Sequence, residues 1–270
     1  MTTSLRELVA HIESGMSVAV PTDYSGVAMS AIREIIRQDI KKLHLIGVPT
    51  CGLQAELLIG AGAVEVFESS ALTLGEYNPA PCFSRAVKNS TIKLIDATCP
   101  AIHAALQASQ KGIPFMPLRG IIGSDLLNHH PNWKTIQNPL AEQEDPIVII
   151  PAIKPDFALF HAPLVDEHGN VWVGRRKELV TMSQASRGAL VTAEKLYEGN
   201  LLEDEKLAAG TLPSLYVTAS AVTPNGSWPL SFWHGRDEDS EHLKLYCKMA
   251  KTEEGFREYL DQFVFQEVSQ

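Results

Sequence analysis

The fold of this chain is most clearly indicated by Leu43-His-Leu-Ile-Gly-Val-Pro-Thr-Cys-Gly-Leu-Gln-Ala-Glu-Leu-Leu-Ile-Gly-Ala-Gly-Ala-Val-Glu-Val-Phe67. The segment begins with a short apolar run typical of a buried strand, and Val64 to Phe67 is a second run of the same kind. Between them, Leu53 to Ala61 has the composition of a helix. A strand, a helix and a second strand in this order predict a βαβ unit with parallel strands.

The same alternation continues on both sides of this segment. On the N-terminal side we predict a helix from Ser4 to Gly15, a strand from Ser17 to Pro21 and a helix from Met29 to Asp39. On the C-terminal side strands and helices alternate as far as Lys111, and Thr98 is the predicted N-cap of the last helix. This alternation predicts a doubly wound α/β fold with a mostly parallel sheet and flanking helices.

The second half of the chain predicts further strands and ends in two helices. Asp166 to Val173 has the pattern of a β-hairpin, and we predict a late strand from Leu215 to Thr218. The last helix carries an apolar stripe with i, i+3, i+4, i+7 spacing, formed by Phe256, Tyr259, Leu260 and Phe263. We therefore expect one domain over residues 1–270, with helices in 240–265 packed on it as a small C-terminal extension.

The composition excludes several classes of function. The formal net charge of −9 disfavours non-specific attraction to nucleic acid or to an anionic membrane. No apolar run approaches the roughly 20 residues of a membrane helix, and the N-terminus has no pattern of a secretory leader. The four cysteines form no CxxC pair, so we expect a reduced, cytoplasmic location. The nine histidines lack ligand spacing, so we predict no metal site.

Candidate ligand contacts lie at the turns that follow the first three predicted strands. In open α/β sheets ligands bind at the carboxyl ends of the strands, which here are followed by the turns 21–26, 48–52 and 68–70. Ser69 and Ser70 follow a strand that should end there, and they could bond to the substrate or act as a helix N-cap. We expect Glu68 to form a salt bridge at the end of its strand. Cys51 has no activating base in the sequence, and we expect it to be a small apolar residue.

A distinctive loop follows the first half of the chain: Gly112-Ile-Pro-Phe-Met-Pro-Leu-Arg-Gly-Ile-Ile-Gly-Ser-Asp125. Its prolines and glycines predict a shaped loop, neither a plain helix nor a plain strand, that presents polar groups to a ligand. Arg119 would bind a carboxylate or phosphate of the ligand, or alternatively carbonyls of the loop itself. Gly123, Ser124 and Asp125 are further candidate contacts, although we expect one of Ser124 and Asp125 to be the N-cap of a helix that begins at Leu126.

Several motifs follow one another in an order that is typical of one family. They are residues 29–38, Leu58-Ile-Gly-Ala-Gly62, Pro81-Cys-Phe-Ser-Arg-Ala-Val87, the loop 112–125, Pro151-Ala-Ile-Lys-Pro-Asp156, Asp166-Glu-His-Gly-Asn170 and the tail from Asp239 to Leu260. Over nearly its whole length the sequence resembles the A (alpha) subunit of the class I coenzyme A transferases, of the glutaconate CoA-transferase type. The resemblance implies the same doubly wound α/β fold.

The resemblance also implies a reaction that is shared with a partner. In this family a homologous B subunit carries a glutamate that attacks an acyl-CoA thioester, and CoA then moves to a second carboxylic acid through a glutamyl-CoA thioester. The B-subunit turn that carries this glutamate corresponds here to Val48-Pro-Thr-Cys-Gly52, which has none. We therefore expect no catalytic residue in this chain, a coenzyme A thioester as substrate, no permanently bound cofactor, and a hetero-dimer or hetero-tetramer with a B subunit.

One turn departs from the family pattern. Family A subunits usually carry Gly-x-Gly-Gly-Phe after the first strand, which brings backbone N–H groups close to the thioester carbonyl. Here the stretch is Ala19-Val-Pro-Thr-Asp-Tyr-Ser-Gly26, and Pro21 has no N–H to donate. Asp23 would repel a developing oxyanion unless it pairs with a cation or is protonated. The candidate contacts to substrate and CoA in this turn are Thr22, Tyr24, Ser25 and Gly26.

Three functions remain open at this point. The first is CoA transfer, and the second is hydrolysis of a CoA thioester, which includes the ring-opening reactions that wider members of the family perform in steroid breakdown. The third is a ligand-binding or structural subunit without chemistry. A sugar-phosphate-sensing domain on the same fold class would need its own phosphate loop, and neither GxxxxGK nor GxGxxG occurs.

Overall fold

The computed structural model describes residues 2–77, 79–233 and 235–266. The strands in these parts of the chain are β1 (Ser17–Pro21), β2 (Leu43–Val48), β3 (Val64–Ser69), β4 (Lys93–Asp96), β5 (Phe115–Leu118), β6 (Lys134–Gln137), β7 (Pro146–Pro151), β8 (Phe157–Asp166), β9 (Val171–Trp172), β10 (Gly188–Tyr197), β11 (Thr211–Leu212) and β12 (Val217–Val222). The α-helices are α1 (Leu5–Val9), α2 (Met29–Arg37), α3 (Leu53–Gly60), α4 (Pro81–Lys88), α5 (Cys99–Gln110), α6 (Leu126–His129), α7 (Lys177–Ala185), α8 (Ser240–Met249) and α9 (Glu253–Leu260).

The main sheet is built from parallel strands in the order β4-β3-β2-β1-β8-β10-β12. Strands β2, β3 and β4 therefore lie in order on one side of β1. Strands β8, β10 and β12, from the second half of the chain, lie in order on its other side. The short strands β9 and β11 extend this sheet in antiparallel fashion at the end of β8. The sheet confirms the predicted parallel α/β architecture.

Helices cover both faces of this sheet. Along β1 the side chains alternate, so that Val18 and Val20 pack into the core under α1–α4, α8 and α9, whereas Ala19 packs into the core under α5 and α7. All three side chains are buried. A strand that is apolar on both faces is what a sheet covered by two helical layers requires, and the fold is doubly wound as predicted.

The helix termini follow the expected capping chemistry. At the start of α1, Ser4 accepts from the Glu7 N–H, and the Glu7 carboxylate accepts in return from the Ser4 N–H at 2.9 Å. Thr98 accepts from the Ala101 N–H at the start of α5. The predicted end of α1 at Gly15 is wrong, because the helix ends at Val9 and the chain reaches Gly15 through turns.

The loop 112–125 is also different from the prediction, because part of it is a strand. Phe115–Leu118 forms β5, which pairs with β7, and β7 pairs with β6 on its other side. This antiparallel sheet encloses a small core of Ile121, Val148 and Ile150 against Ala105 of α5. The strand predicted from Leu215 to Thr218 also begins later than predicted. Ser214–Tyr216 is a 3₁₀ turn, and β12 begins at Val217.

The C-terminal helices pack on the same core as α2 and α3. Tyr246 of α8 and Tyr259 of α9 are among the largest fully buried side chains, and their rings meet edge to face at 4.9 Å. The predicted stripe of α9 faces this core, with Phe256, Tyr259 and Leu260 buried and Phe263 partly buried. The α8 helix thereby reaches the carboxyl edge of the sheet.

Candidate functional site

The carboxyl ends of β1, β2 and β3 lie side by side and open into one cavity. Pro21 pairs with Val48, and Glu68 pairs with Ile46, so the three following turns meet at one edge. The cavity has a volume of about 420 Å³. Its walls come from the first two turns, residues 73–77 after β3 with their 3₁₀ turn 75–77, the start of α3, the loop before α8 and α8 itself: Thr22, Asp23, Tyr24, Thr50, Cys51, Leu53, Thr73, Leu74, Gly75, Glu76, Tyr77, Leu230, Ser231, Glu238, Leu243, Tyr246 and Cys247.

Asp23 occupies the centre of the turn that departs from the family pattern. Its Oδ2 accepts a hydrogen bond from the Leu53 N–H at 3.1 Å, so it caps α3 from a neighbouring loop. Its Oδ1 is shielded from solvent and has no hydrogen-bond partner in the described residues. Burial outweighs the hydrogen bonds from Leu53 and Gly52 and raises the pKa of the Asp23 carboxyl from 3.8 to about 6. The carboxyl therefore exchanges its proton close to neutral pH.

None of the described residues that line the cavity supplies a cation to compensate the Asp23 carboxylate. Among the described lining residues there are three carboxylates, Asp23, Glu76 and Glu238, and no lysine or arginine. The Glu238 charge acts in the same direction as burial on the Asp23 pKa. An oxyanion can form beside Asp23 if the carboxylate is paired with a cation or if it is protonated. The described lining offers no cation, and the raised pKa makes protonation the easier of the two conditions.

The other polar groups of the turn are held by internal hydrogen bonds. The Thr22 hydroxyl donates to Ser25 at 3.2 Å, and the buried Ser25 hydroxyl donates to Glu178 at 2.7 Å. The exposed Tyr24 ring lies against the Arg176 guanidinium, 5.4 Å from the ring centroid. Thr22 and Tyr24 line the cavity. Ser25 is not among the described lining residues, and its hydrogen bond to Glu178 stabilises the turn.

Gly26 ends the turn in a conformation that favours glycine. Its φ is +80°, and a Cβ there would overlap the His161 carbonyl oxygen and the Trp233 ring. The Gly26 carbonyl accepts from the His161 N–H at 2.7 Å, which fixes the turn to β8. Gly26 therefore has a structural role, because it joins the turn after β1 to β8. It is not among the described residues that line the cavity.

Substitution of Gly26 by alanine is expected to lower the free energy of unfolding by about 2–4 kcal/mol, because it adds steric overlap to an unfavourable φ. Gly15 provides the matched control, since its φ is +91° and a Cβ there would meet no atom within 4 Å. Gly15→Ala should therefore cost only about 1–2 kcal/mol. Urea denaturation of both variants measures the difference, and equal losses would contradict the packing argument.

The second turn places Cys51 in the cavity wall, whereas Ser69 of the third turn is not among the described residues of the lining. The Ser69 hydroxyl is buried and lies 3.0 Å from the Ala71 carbonyl and 3.2 Å from the Pro49 carbonyl, so it is bonded within the protein. Burial raises the pKa of the Cys51 thiol well above its ordinary range, which keeps it protonated and unsuited to nucleophilic attack. Glu68 contacts His44 at 2.9 Å, as expected for a strand-end pair.

The candidate residues of the loop 112–125 lie elsewhere in the fold. Arg119 binds Asp145 with both ends of its guanidinium, at 3.0 and 2.5 Å, beside the small antiparallel sheet. Ser124 donates to the Ile121 carbonyl, and Gly123 is exposed in the same turn. None of the three is among the described residues that line the cavity, and their predicted contact with substrate stays a prediction.

Several cavity residues come from parts of the chain that the sequence analysis did not assign to the site. Leu230, Glu238 and Tyr246 approach the strand ends from more than 150 positions away in the sequence. The Tyr77 hydroxyl donates to the Glu238 carboxylate and lies 3.1 Å from the Ser240 hydroxyl, and these bonds tie the 3₁₀ turn to the start of α8. Only the tertiary fold brings these residues to the site.

The described residues contain neither a metal cluster nor a helix that could span a membrane. In residues 2–77, 79–233 and 235–266, no group of three or more His, Cys, Asp and Glu side chains is arranged to hold a metal ion. Over the same residues no helix has both the length and the apolar character to cross a bilayer.

The arrangement of the sheet and its helices is shared with solved structures of a coenzyme A-transferase and of a decarboxylase. The glutaconate coenzyme A-transferase of Acidaminococcus fermentans superposes with a TM-score of 0.87 over 98% of this chain and 88% of that chain, at 22% identity. A variant of the decarboxylase AibA/AibB, with one cysteine replaced by serine, superposes with a TM-score of 0.86 over 98% of both chains, at 26% identity. The first likeness establishes the fold class.

Sequence comparison then identifies the family. Residues 2–217 match the coenzyme A transferase family, and the chain belongs to it. It is 28% identical to the A subunit of 3-oxoadipate CoA-transferase from Pseudomonas knackmussii, over 97% of this chain and 92% of that protein. It is 23% identical to the cholesterol ring-cleaving hydrolase IpdA subunit of Mycobacterium tuberculosis, over 97% of this chain and 92% of that protein. An uncharacterized protein of Archaeoglobus fulgidus is 30% identical over 98% of this chain, which spans only 59% of that relative.

Proposed function

We propose that this chain is the A subunit of a two-subunit CoA-transferase that moves CoA between carboxylic acids. The observation that carries the proposal is the turn 48–52, where B subunits of the family carry their glutamate. Here the turn holds Cys51, which is buried and whose raised pKa keeps it protonated. The nucleophilic glutamate must then come from a homologous B subunit, in keeping with the relatives that are named as A subunits.

The walls of the cavity suit the intermediates of such a reaction. Acyl anhydrides and thioesters are destroyed by water, so a transferase must keep water away from them. Apolar side chains from three different parts of the chain, Leu53, Leu74 and Leu243, line the cavity. Tyr24 supplies a hydroxyl group that can donate to the substrate, whereas the Thr22 hydroxyl, which donates to Ser25, can accept. The chain would thus shape and shield the site, whereas the partner would supply the attacking group.

A second candidate function is hydrolysis of a CoA thioester or of a ring attached to it, and Asp23 is the observation that favours it. A general base works best when its pKa lies near the working pH, and burial raises the pKa of Asp23 to about 6. Asp23 lines the cavity at the turn where transferases of the family have glycines. In a hydrolase it would accept the proton of the attacking water.

Assay of the chain together with its partner tests both candidates. The partner is expected to be encoded next to this chain, at similar length and with a glutamate after its second strand. We expect the purified pair to exchange CoA between acyl-CoA thioesters and carboxylic acids, and the chain alone to be inactive. Hydroxylamine or borohydride should trap a glutamyl-CoA thioester on the partner, because only the covalent route forms one.

The same assay separates the remaining possibilities. Release of free CoA without exchange or trapping would establish the hydrolase and overturn the transferase. Absence of both reactions over a panel of acyl-CoAs and acids would overturn both, and would leave a binding or structural subunit. Strong activity of the chain alone would contradict its assignment as one half of an active site.

A further inference from the structure

A larger cavity runs along α2 and shares no described lining residue with the cavity at the strand ends. Its volume is about 820 Å³, which lies within the range of about 300–1,000 Å³ that is usual for ligand sites. From α2 it is lined by Ser30, Arg33, Glu34 and Arg37, whose i, i+3, i+4, i+7 spacing places them on one side of the helix. The start of α1, the loop after β12 and the segment after α9 supply most of the other described walls. We call it the α2 cavity.

Three polar side-chain atoms in the lining of the α2 cavity are shielded from solvent and have no hydrogen-bond partner in the described residues. They are Ser30 Oγ, Arg33 Nε and Thr223 Oγ1. The Ser30 N–H donates to the Gly226 carbonyl at 2.9 Å, which ties α2 to the loop that carries Thr223. Shielded polar atoms are ordinarily hydrogen-bonded, and an arginine nitrogen can only donate. The cavity is therefore suited to a ligand that brings acceptor atoms.

Arg33 is in addition a buried cation without an ion pair. The residue is only 7% exposed. Its contacts are neutral, since Nη2 donates to the Trp228 carbonyl at 2.9 Å and the guanidinium lies 4.9 Å from the centroid of the Trp228 ring. The neighbouring Glu34 carboxylate binds Arg37 instead, at 3.1 Å. Burial lowers the pKa of Arg33, so its surroundings disfavour the charged form. A bound anion would offset this penalty.

We propose that the α2 cavity binds the anion of a carboxylic acid that has an apolar body. The carboxylate accepts hydrogen bonds from Arg33 Nε and from the hydroxyl groups of Ser30 and Thr223. Because the two cavities share no described lining residue, the inference goes beyond the proposed function and does not depend on it.

The charges and the walls of the α2 cavity define this class of ligand. One carboxylate neutralises the buried Arg33 guanidinium, whereas the second charge of a phosphate group would have only the exposed Arg6 to compensate it. Leu5, Phe263 and Phe265 line the same cavity and offer apolar surface to the rest of the ligand. The cavity thus provides a polar and an apolar contact to the same molecule.

Calorimetric titration of the full chain with butyrate, octanoate and 4-phenylbutyrate tests the proposal. At least one of these carboxylates should bind wild type with one molecule per chain. Its uncharged amide should bind about 10-fold or more weakly, because it lacks the charge that neutralises Arg33. Inorganic phosphate, which has no apolar body, should also bind more weakly than the carboxylate.

Substitutions in the lining locate the bound carboxylate. Arg33→Met should weaken binding by about 10-fold or more, because the charged donor is lost. The double substitution Ser30→Ala and Thr223→Val removes only hydroxyl groups that have no partner in the described residues, and it should weaken binding by about 3-fold to 10-fold. Arg257→Met is the control, since Arg257 is exposed, lies outside the described lining and gives the same change of charge as Arg33→Met.

The proposal is overturned if wild type binds none of the carboxylates, or if the amide or phosphate binds as tightly as the carboxylate. It is also overturned if both cavity variants bind the carboxylate like wild type, or if Arg257→Met weakens binding as much as they do. Melting temperatures show whether the variants are folded. If Arg33→Met is not, the double variant decides, because it leaves the contacts of Arg33 with Trp228 in place.

Discussion

Alanine in place of Glu56 is expected to lower the free energy of unfolding by about 3–5 kcal/mol. Glu56 is fully buried in α3, and its carboxylate accepts from the Cys82 N–H at 2.7 Å and from the Phe83 N–H at 2.8 Å. Its Oε1 also accepts from the Tyr246 hydroxyl at 3.1 Å. The substitution would leave the N–H groups of Cys82 and Phe83 without their acceptor and would leave the Tyr246 hydroxyl only Cys82 Sγ at 3.7 Å. A buried donor that loses its acceptor costs about 1–3 kcal/mol.

The position of these donors explains why the loss should be large. The N-cap residue of α4, Ala80, has no side chain that can bond to the helix, so Glu56 supplies the missing acceptor from α3. Through Tyr246 the same carboxylate holds α8, which walls the candidate site. One side chain therefore connects α3, α4 and α8 behind the cavity.

Urea denaturation of Glu56→Ala, Glu56→Gln and Glu65→Ala measures the effect. Glutamine keeps the shape of the side chain and one acceptor oxygen, so Glu56→Gln should lose an intermediate amount of stability. Glu65 is exposed, so Glu65→Ala should change the free energy of unfolding by no more than about 0.5 kcal/mol. Tyr246→Phe should cost less in the Glu56→Ala background than in wild type, because its partner is already absent. A loss below about 1 kcal/mol for Glu56→Ala would show that water satisfies the stranded donors.

The parallel sheet was predictable from sequence because each of its early strands is a short apolar run separated by a helix from the next. The small antiparallel sheet was not, for two physical reasons. β5 contains Pro117, which argues against a strand, and all four residues of β6 are exposed, so no alternation marks it. Both strands are specified by pairing with β7 and not by their own pattern.

The candidate site shows the same division between local and tertiary information. The rule that ligands bind at the carboxyl ends of strands depends only on strand order, and it predicted the edge of the sheet where Thr22 and Tyr24 line a cavity. The role of Arg119 depends on Asp145, which lies 26 residues further along the chain and has no local link to it. The unpaired Oδ1 of Asp23 depends on burial by loops from both halves of the chain. Local sequence carries no signal for such burial.

Asparagine in place of Asp23 is expected to stabilise the protein at neutral pH, by an amount that depends on pH. The folded-state pKa of about 6 lies above the ordinary value of 3.8, so the folded protein binds the proton more tightly than the unfolded chain. The contribution of Asp23 to stability is therefore fully present below pH 3.8, and it is lost as the pH rises to about 6. The difference of pKa corresponds to a loss of about 3 kcal/mol.

Asparagine resembles the protonated acid, because it is neutral and its oxygen can still accept from the Leu53 N–H. Asp23→Asn should thus match wild type near pH 4 and exceed it by up to about 3 kcal/mol above pH 7. Urea denaturation between pH 4 and pH 8 measures the two curves, and Asp125→Asn is the control, since Asp125 is exposed and makes no side-chain cap bond. If the free energies of unfolding of wild type and Asp23→Asn changed with pH in the same way, the pKa of Asp23 in the folded protein would be the ordinary value of 3.8. A carboxyl whose pKa is raised to about 6 at the wall of the cavity instead lowers the stability of the fold at neutral pH, and shifted pKa values of this kind are concentrated at functional sites.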